Sequence, residues 1–269
     1  MHTDVVLDPT NADAAYLLAA ARVVEDAGLD GIWTYDHISG ASLGGSWVQD
    51  PWTLLGAFAA ITNRVTLGPL VANVAIRHPA LLAVAAATLQ DVSGGRAMLG
   101  VGAGAGPGLP YVREMDMVGL VARSAAERRG MVEEAIGLIR TLWSGESEFD
   151  GEHFMLSGAT GFRRPDPPPA IIVGVNGPKL AAVAGKVAEG VNIHSYEPEL
   201  GSLVEVARAA AGARKLMITV EAPLAAEWLL DDHPSRQGLI AMGVDRLMLV
   251  WRATYGIEAI SRAGRLLHP

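Results

Sequence analysis

Eight short apolar runs, each followed by a longer stretch of helical periodicity, leave this chain of 269 residues few ways to fold. The runs fall at 5–7, 31–35, 65–70, 97–102, 171–175, 190–194, 216–221 and 245–251. Most lack polar alternation, as expected of parallel strands covered on both faces. Helical patterns follow at 11–27, 51–62, 79–92, 124–143, 178–188, 198–213, 234–242 and 255–267. Proline opens five of them (Pro51, Pro79, Pro178, Pro198, Pro234), at the first-turn position where a missing N–H costs nothing. Ser124 and Glu127 have capping-box spacing. The repeat and the length together predict one α/β domain over residues 1–269, a (β/α)8 TIM barrel. One interval breaks the rhythm. Residues 103–170, between the fourth and fifth strands, hold a glycine-rich loop, a long helix, a hairpin around Asp150-Gly151 and the stiff run 165–169. It is expected to be an excursion over the barrel mouth.

Composition narrows the function. A net charge of −8 argues against nucleic acid, whose binders concentrate positive charge. Half the residues are apolar, yet no run is long enough to span a bilayer, and Met1 to Asp4 lead directly into strand-like Val5, so no membrane partner and a cytoplasmic location are expected. With no cysteine there is no thiolate metal site, and the seven histidines show no zinc spacing. Neither a Walker loop nor a Gly-x-Ser-x-Gly elbow is present.

Polar groups gather past the strand ends, where parallel α/β folds place their chemistry. In order they are Asp8; Asp36-His37; Asn73, Arg77 and His78; Gly102 to Gly106; Asn176-Gly177-Pro178-Lys179; His194 to Glu197; Glu221; and Trp251-Arg252. In Asp36-His37 the acid can fix the tautomer of the base, which favours catalysis or cofactor contact over a structural role. The glycines at 100, 102, 104 and 106 have dinucleotide-like spacing, but Pro107 and Pro110 preclude the immediate helix that fingerprint requires. A glycine turn that lets a flat ligand approach the backbone fits better. Asn176-Gly177 with Lys179 in the first helical turn is either an anion site or an ordinary N-cap. Arg77 either holds an anion or ties its loop to a carboxylate.

These residues carry a resemblance. Gly28-Leu29-Asp30-Gly31-Ile32-Trp33-Thr34-Tyr35-Asp36-His37 resembles the second-strand signature of the bacterial luciferase-like superfamily. Val65-Thr66-Leu67-Gly68 with Arg77-His78-Pro79 is similar to its third unit, and Ser93-Gly94-Gly95-Arg96 through Gly104 to its Ser-x-Gly-Arg…Gly-x-Gly-x-Gly block. The likeness extends over roughly residues 12 to 195; the last third matches loosely.

The resemblance implies a barrel that binds FMN or the deazaflavin coenzyme F420, and Trp-x-x-Asp-His is most like the F420-dependent branch. By that match Asp36 contacts the deazaflavin, and His37 stands beside the ring as the catalytic residue. Leu70, Val71 and Asn73 belong to the loop that buttresses the ring, in some members through a non-proline cis peptide. Ala103, Gly104, Asn176, Gly177 and Lys179 match loops that hold the cofactor's tail and phosphate. In the family's sugar-phosphate dehydrogenases a catalytic glutamate stands where this chain has Ala105; Glu197 or Glu221 are the candidates to replace it. The implied function is hydride transfer between F420 and a small-molecule substrate, by a homodimer that pairs helices of the first half of the barrel. The alternatives are an FMN monooxygenase and a cofactor-binding protein without turnover.

Overall fold

The computed structural model describes residues 1–109 and 111–268. β1 (His2–Leu7), α1 (Ala14–Asp26), β2 (Gly31–Thr34) and α2 (Pro51–Ile61) come first. The third run is divided into β3 (Thr66–Pro69) and β4 (Ala72–Asn73) on either side of a cis Leu70–Val71 peptide, and α3 (Pro79–Val92) follows. Next are β5 (Met98–Gly102), α4 (Val112–Met117), α5 (Ala125–Ser144), and the antiparallel pair β6 (Phe149–Asp150) and β7 (Met155–Leu156). The remainder alternates: β8 (Ala170–Gly174), α6 (Pro178–Val187), β9 (Gly190–His194), α7 (Leu200–Ala211), β10 (Met217–Pro223), α8 (Pro234–Ala241), β11 (Arg246–Trp251) and α9 (Glu258–Leu267).

The large sheet runs β3-β2-β1-β11-β10-β9-β8-β5-β4 with parallel pairing. A parallel bridge between Leu67 and Ala97 joins its ends, Leu67 N–H donating to the Arg96 carbonyl at 3.0 Å. Since β3 and β4 are halves of one strand, the nine strands make the eight staves of a TIM barrel. Among the described residues no helix is long and apolar enough to cross a membrane.

Local chemistry sets the element ends. Asp13 accepts from Ala15 N–H to open α1, and Gly28, at φ 82°, follows its last turn. Proline begins α2, α3, α6 and α8 as expected. Pro198 does not begin α7: the chain first makes a turn in which Glu197 N–H donates to His194 O, and the helix starts at Leu200.

The barrel interior is packed, not hollow. Val6, Trp33, Leu70, Met98, Ile172 and Met248 form its apolar centre. Towards the amino-terminal rim Asp4, fully buried, accepts from Arg246 at 2.7 and 2.9 Å and from the Trp33 indole at 2.8 Å. A Cβ on Gly31 would stand 2.8 Å from that carboxylate carbon, so β2 begins with glycine. Removing one partner of such a pair strands a buried charge, at a cost of ~3–5 kcal/mol.

Arg96 has a structural role. Its guanidinium donates to the carbonyls of Ala59, Thr62, Val65 and Ser93 and to the Thr62 hydroxyl, at 2.7 to 3.1 Å. It ties the end of α2 to the start of β5 on the rim away from the chemistry.

The interval 103–170 divides in two. α5 joins the outer layer beside α3 and α6, and the hairpin fastens to it through Glu134, which accepts from the amides of Glu152, His153 and Phe154 at 3.0, 2.7 and 3.1 Å. α4 approaches the end of β2, where Glu114 meets His37.

Candidate active site

β2 delivers Tyr35, Asp36 and His37 to the carboxyl rim, and their partners differ. Asp36, buried, accepts from Arg77 Nε at 2.9 and 2.8 Å, while Arg77 Nη2 reaches Asp50 at 2.9 Å. Burial alone would lower the Arg77 pKa; the two carboxylates outweigh it and raise it. Of the two readings open for Arg77, the loop tie is the one observed. His78 caps α3, its Nδ1 accepting from Ala80 N–H at 3.2 Å. The acid next to His37 therefore anchors the rim and leaves the imidazole to another partner.

That partner is Glu114 on α4, 2% exposed, whose Oε1 lies 2.8 Å from His37 Nδ1. Its other oxygen accepts from Ile38 N–H at 3.3 Å. An ionised carboxylate only accepts, so Nδ1 carries the proton and, in the neutral ring, Nε2 is the acceptor. Tyr111 packs against the imidazole at a centroid distance of 5.4 Å, and Tyr35 meets it edge-on at 6.3 Å. Sequence reasoning passed over Glu114. A lone glutamate in a six-residue helix that also carries Arg113 and Asp116 reads as solvated surface, and nothing in the spacing marks it.

A second pairing stands on β9 and β10. Tyr35 Oη donates to Glu221 Oε1 at 2.9 Å, and His194 Nδ1 lies 3.4 Å from the same oxygen, long for a hydrogen bond. His194 stacks on Tyr196 with centroids 4.8 Å apart. Burial disfavours charge on His194, but Glu221 outweighs it and the pKa is raised. Burial first, then the Glu221 charge, pushes the Tyr35 phenol far up, so it remains a neutral donor. Of the two glutamates considered in place of Ala105, Glu221 is the one joined to the rim.

The glycines of β5 make room for other parts of the chain. A Cβ on Gly100 would run into the Pro69 carbonyl oxygen, with Val71 Cγ1 at 3.0 Å; one on Gly102 would run into Val71 Cγ2, and one on Gly174 would lie 3.1 Å from the same carbon. The gap thus admits Val71 from the chain itself, which packs on the interior cluster. Gly104, at φ 67°, has the Asn73 carboxamide where its own side chain would be, and Asn73 Oδ1 accepts from Ala75 N–H at 2.9 Å. Leu70, Val71, Asn73, Ala103 and Gly104 are therefore brought together. Arg128 joins them from α5: Nη1 donates to the Gly104 carbonyl at 2.6 Å, and its buried Nε has no partner. Arg128, lying 24 residues beyond that loop, had no motif to mark it. Asn176, Gly177 and Lys179 sit at the start of α6, where no side chain caps the first amides; Asn176 and Lys179 are exposed.

A parallel barrel with a histidine–carboxylate pair and a backbone cradle at its carboxyl rim defines a class of ligand-binding α/β enzyme folds. Residues 1–225 match the family described as luciferase-like monooxygenase, and the chain belongs to that family. An F420-dependent glucose-6-phosphate dehydrogenase of Beutenbergia cavernae is 37% identical over 176 residues, 65% of this chain and 51% of that protein. A 5,10-methylenetetrahydromethanopterin reductase of Archaeoglobus fulgidus is 32% identical over 180 residues, 66% of this chain and 48% of that protein. The chain spans about half the length of these relatives. Among solved structures, the coenzyme F420-dependent tetrahydromethanopterin reductase of Methanopyrus kandleri aligns over 99% of this chain and 98% of its own, with TM-score 0.79 and 18% identity. An F420-dependent secondary alcohol dehydrogenase, in complex with an F420-acetone adduct, covers 100% of both chains at TM-score 0.78 and 19% identity. Both are likenesses of fold.

Proposed function

We propose that the chain is an oxidoreductase that uses coenzyme F420 to exchange a hydride with a small organic substrate. The observation that carries this reading is the His37–Glu114 pair, which leaves Nε2 as the acceptor at the end of β2. The residues present suit a flat ring with an anionic tail. The uncapped start of α6 offers free amides beside Lys179, and Arg128 has an unpartnered buried N–H near Gly104. Leu70, Val71 and Asn73 would support the ring, and Ala103, Gly104, Asn176, Gly177 and Lys179 would hold the tail. Asp36 would act on the cofactor chiefly by fixing Arg77 and the β4–α3 loop.

When bound, the deazaflavin supplies hydride donation and acceptance. The chain's own contribution is to place and move a proton. His37 Nε2 takes the hydroxyl proton of an alcohol undergoing oxidation and returns it to the carbonyl oxygen in the reverse direction. Glu114 holds the ring in the tautomer required and stabilises the charge that arrives. The likeness of 37% to an F420 enzyme supports the cofactor assignment.

The test is a titration of the purified protein with F420 and with FMN, followed by absorption. Tight uptake of deazaflavin and weak uptake of FMN is expected. Preferential FMN uptake would favour a flavin monooxygenase, and uptake of neither would remove the proposal.

A further inference from the structure

Two histidine–carboxylate pairs stand at the carboxyl rim, and the chemistry proposed above uses one of them. His37 with Glu114 is closed in: the glutamate is 2% exposed, and Nδ1 is committed to it at 2.8 Å. His194 with Glu221 is more open. Its Nδ1 is buried 3.4 Å from Glu221 Oε1 without a hydrogen bond, yet 40% of the side chain is exposed. This imidazole therefore has one edge towards the interior and another towards solvent.

The two pairs meet at Tyr35. Its ring stands edge-on to His37 at 6.3 Å, and its hydroxyl donates to Glu221 at 2.9 Å. Tyr111 packs against His37 at 5.4 Å and Tyr196 against His194 at 4.8 Å. Burial first, then Glu221, Tyr111 and Glu197, raise the pKa of the Tyr196 phenol, so these two tyrosines lie within electrostatic reach of each other. The two imidazoles thus border one opening, on either side of Tyr35.

The surroundings of Glu221 favour a proton on His194. Glu221 is 9% exposed, and a buried carboxylate needs a counter-charge or a proton of its own. Tyr35 brings a hydrogen bond but no charge. Among the described residues no lysine or arginine pairs with Glu221. Arg252 faces Asp8 at 3.5 Å, Arg77 is held by Asp36 and Asp50, and the three lysines lie on α6 and before β10. Positive charge for Glu221 has to come from the imidazole of His194. Burial opposes that charge, but Glu221 and then Glu197 outweigh it and raise the pKa.

Resting on the F420 reading, we infer that His194 is the proton-exchange residue of this site, through which the proton collected by His37 reaches solvent. In alcohol oxidation the hydride leaves with the cofactor, and the hydroxyl proton rests on His37 Nε2. Nδ1 offers no exit, because Glu114 is buried behind it. The Nε2–H bond of His37 breaks across the opening and an N–H bond forms at His194 Nε2, giving an imidazolium paired with Glu221. Loss of that proton to a solvent base restores both neutral rings, and no electrons move in either step. The same steps in reverse reload His37 for carbonyl reduction. Glu221 is a positioning residue here, acting through His194.

The experiment is nitrogen-15 NMR of the imidazoles, in protein loaded with oxidised deazaflavin and in unloaded protein. His194 should titrate above the ordinary histidine value of about 6.5. In Glu221→Gln, which keeps an acceptor for Tyr35, that midpoint should fall. The second readout is exchange of the His37 Nδ1 proton with solvent in the loaded protein. A proton on Nδ1 exchanges once Nε2 has taken another, so the rate reports delivery to Nε2. His194→Gln should slow exchange ~10²-fold at unchanged melting temperature, and free imidazole in solution should restore it, which a structural role would not allow. If His194→Gln melts early, Glu221→Gln carries the exchange measurement, with slowing again expected. A midpoint that is not raised, or that ignores Glu221→Gln, overturns the inference, as does exchange that is not slowed or is slowed without rescue. Failure to take up deazaflavin removes the cofactor reading instead, and exchange in the unloaded protein then decides this one.

Discussion

Glu114→Gln isolates what the carboxylate does for His37. The side chain keeps its size, and its amide oxygen remains an acceptor for Ile38 N–H, so folding and cofactor affinity should hold. What changes is the 2.8 Å contact at Nδ1. A carboxylate there accepts a hydrogen bond from the ring N–H and favours the imidazolium that forms when Nε2 takes a proton. A carboxamide can instead turn its NH2 towards Nδ1, which moves the ring proton to Nε2 and leaves no acceptor facing the substrate. A charge-assisted hydrogen bond of this kind contributes ~1.5–3 kcal/mol, which corresponds to a chemical step slowed by about 10- to 10²-fold. His37→Asn removes the base altogether and should cost more, ~10²–10⁴-fold. The assay is single-turnover reduction of bound deazaflavin, read beside cofactor affinity and melting temperature. If Glu114→Gln reacts at the parent rate with affinity and melting temperature unchanged, the pair is structural and the proton assignment to His37 Nε2 is wrong.

Lys179→Glu sets like charge against an anionic tail at the start of α6 and should weaken deazaflavin binding by ~1–3 kcal/mol in calorimetry, with no effect on melting. Arg96→Met leaves buried carbonyls at Ala59, Thr62 and Val65 without a donor and should destabilise by ~2–4 kcal/mol in urea, with the active-site chemistry spared. Glu25 accepts from the amides of Asn63, Arg64 and Val65; burial would raise its pKa, but these bonds outweigh it and lower it. Its contribution is therefore present above the ordinary glutamate value of about 4.3 and is lost as pH falls through the lower folded value. The melting-temperature gap between the parent and Glu25→Gln should close as the solution is acidified through that window. We also expect a homodimer through the first-half helices, where Leu81 and Val84 stand exposed on α3; sedimentation showing only monomer at micromolar concentration would retire it.

The barrel was legible because buried parallel strands are written as uninterrupted apolar runs, and β9 falls on its expected 190–194 without adjustment. Proline and capping residues placed most helix starts for the same reason, since they act through the backbone of their own turn. The failures involve partners remote in sequence. Arg96 stood out as part of a motif, yet its carbonyl acceptors at Ala59, Thr62 and Val65 lie 31 to 37 residues away. Within the 103–170 interval, a pattern cannot tell which helix packs in the outer layer, as α5 does beside α3 and α6. Asp36 and His37 were visible as a pair, but adjacent residues on an extended chain point in opposite directions, so each found its own partner. Glu114 was invisible because its burial is conferred by the fold alone.

Val71 fills space left by Gly102 and Gly174, residues that belong to two other strands. The height of the shelf beneath any bound ring is thus set jointly by three positions, and neither glycine can gain a side chain alone. An alanine at Gly102 would be expelled or would lift the valine, whereas Val71→Ala first opens a void that such an alanine could then enter. At position 102 the order of steps matters: the valine must shrink before that glycine can grow. A survey of paired substitutions at 71 and 102 should accordingly recover function along one order of steps and lose it along the other.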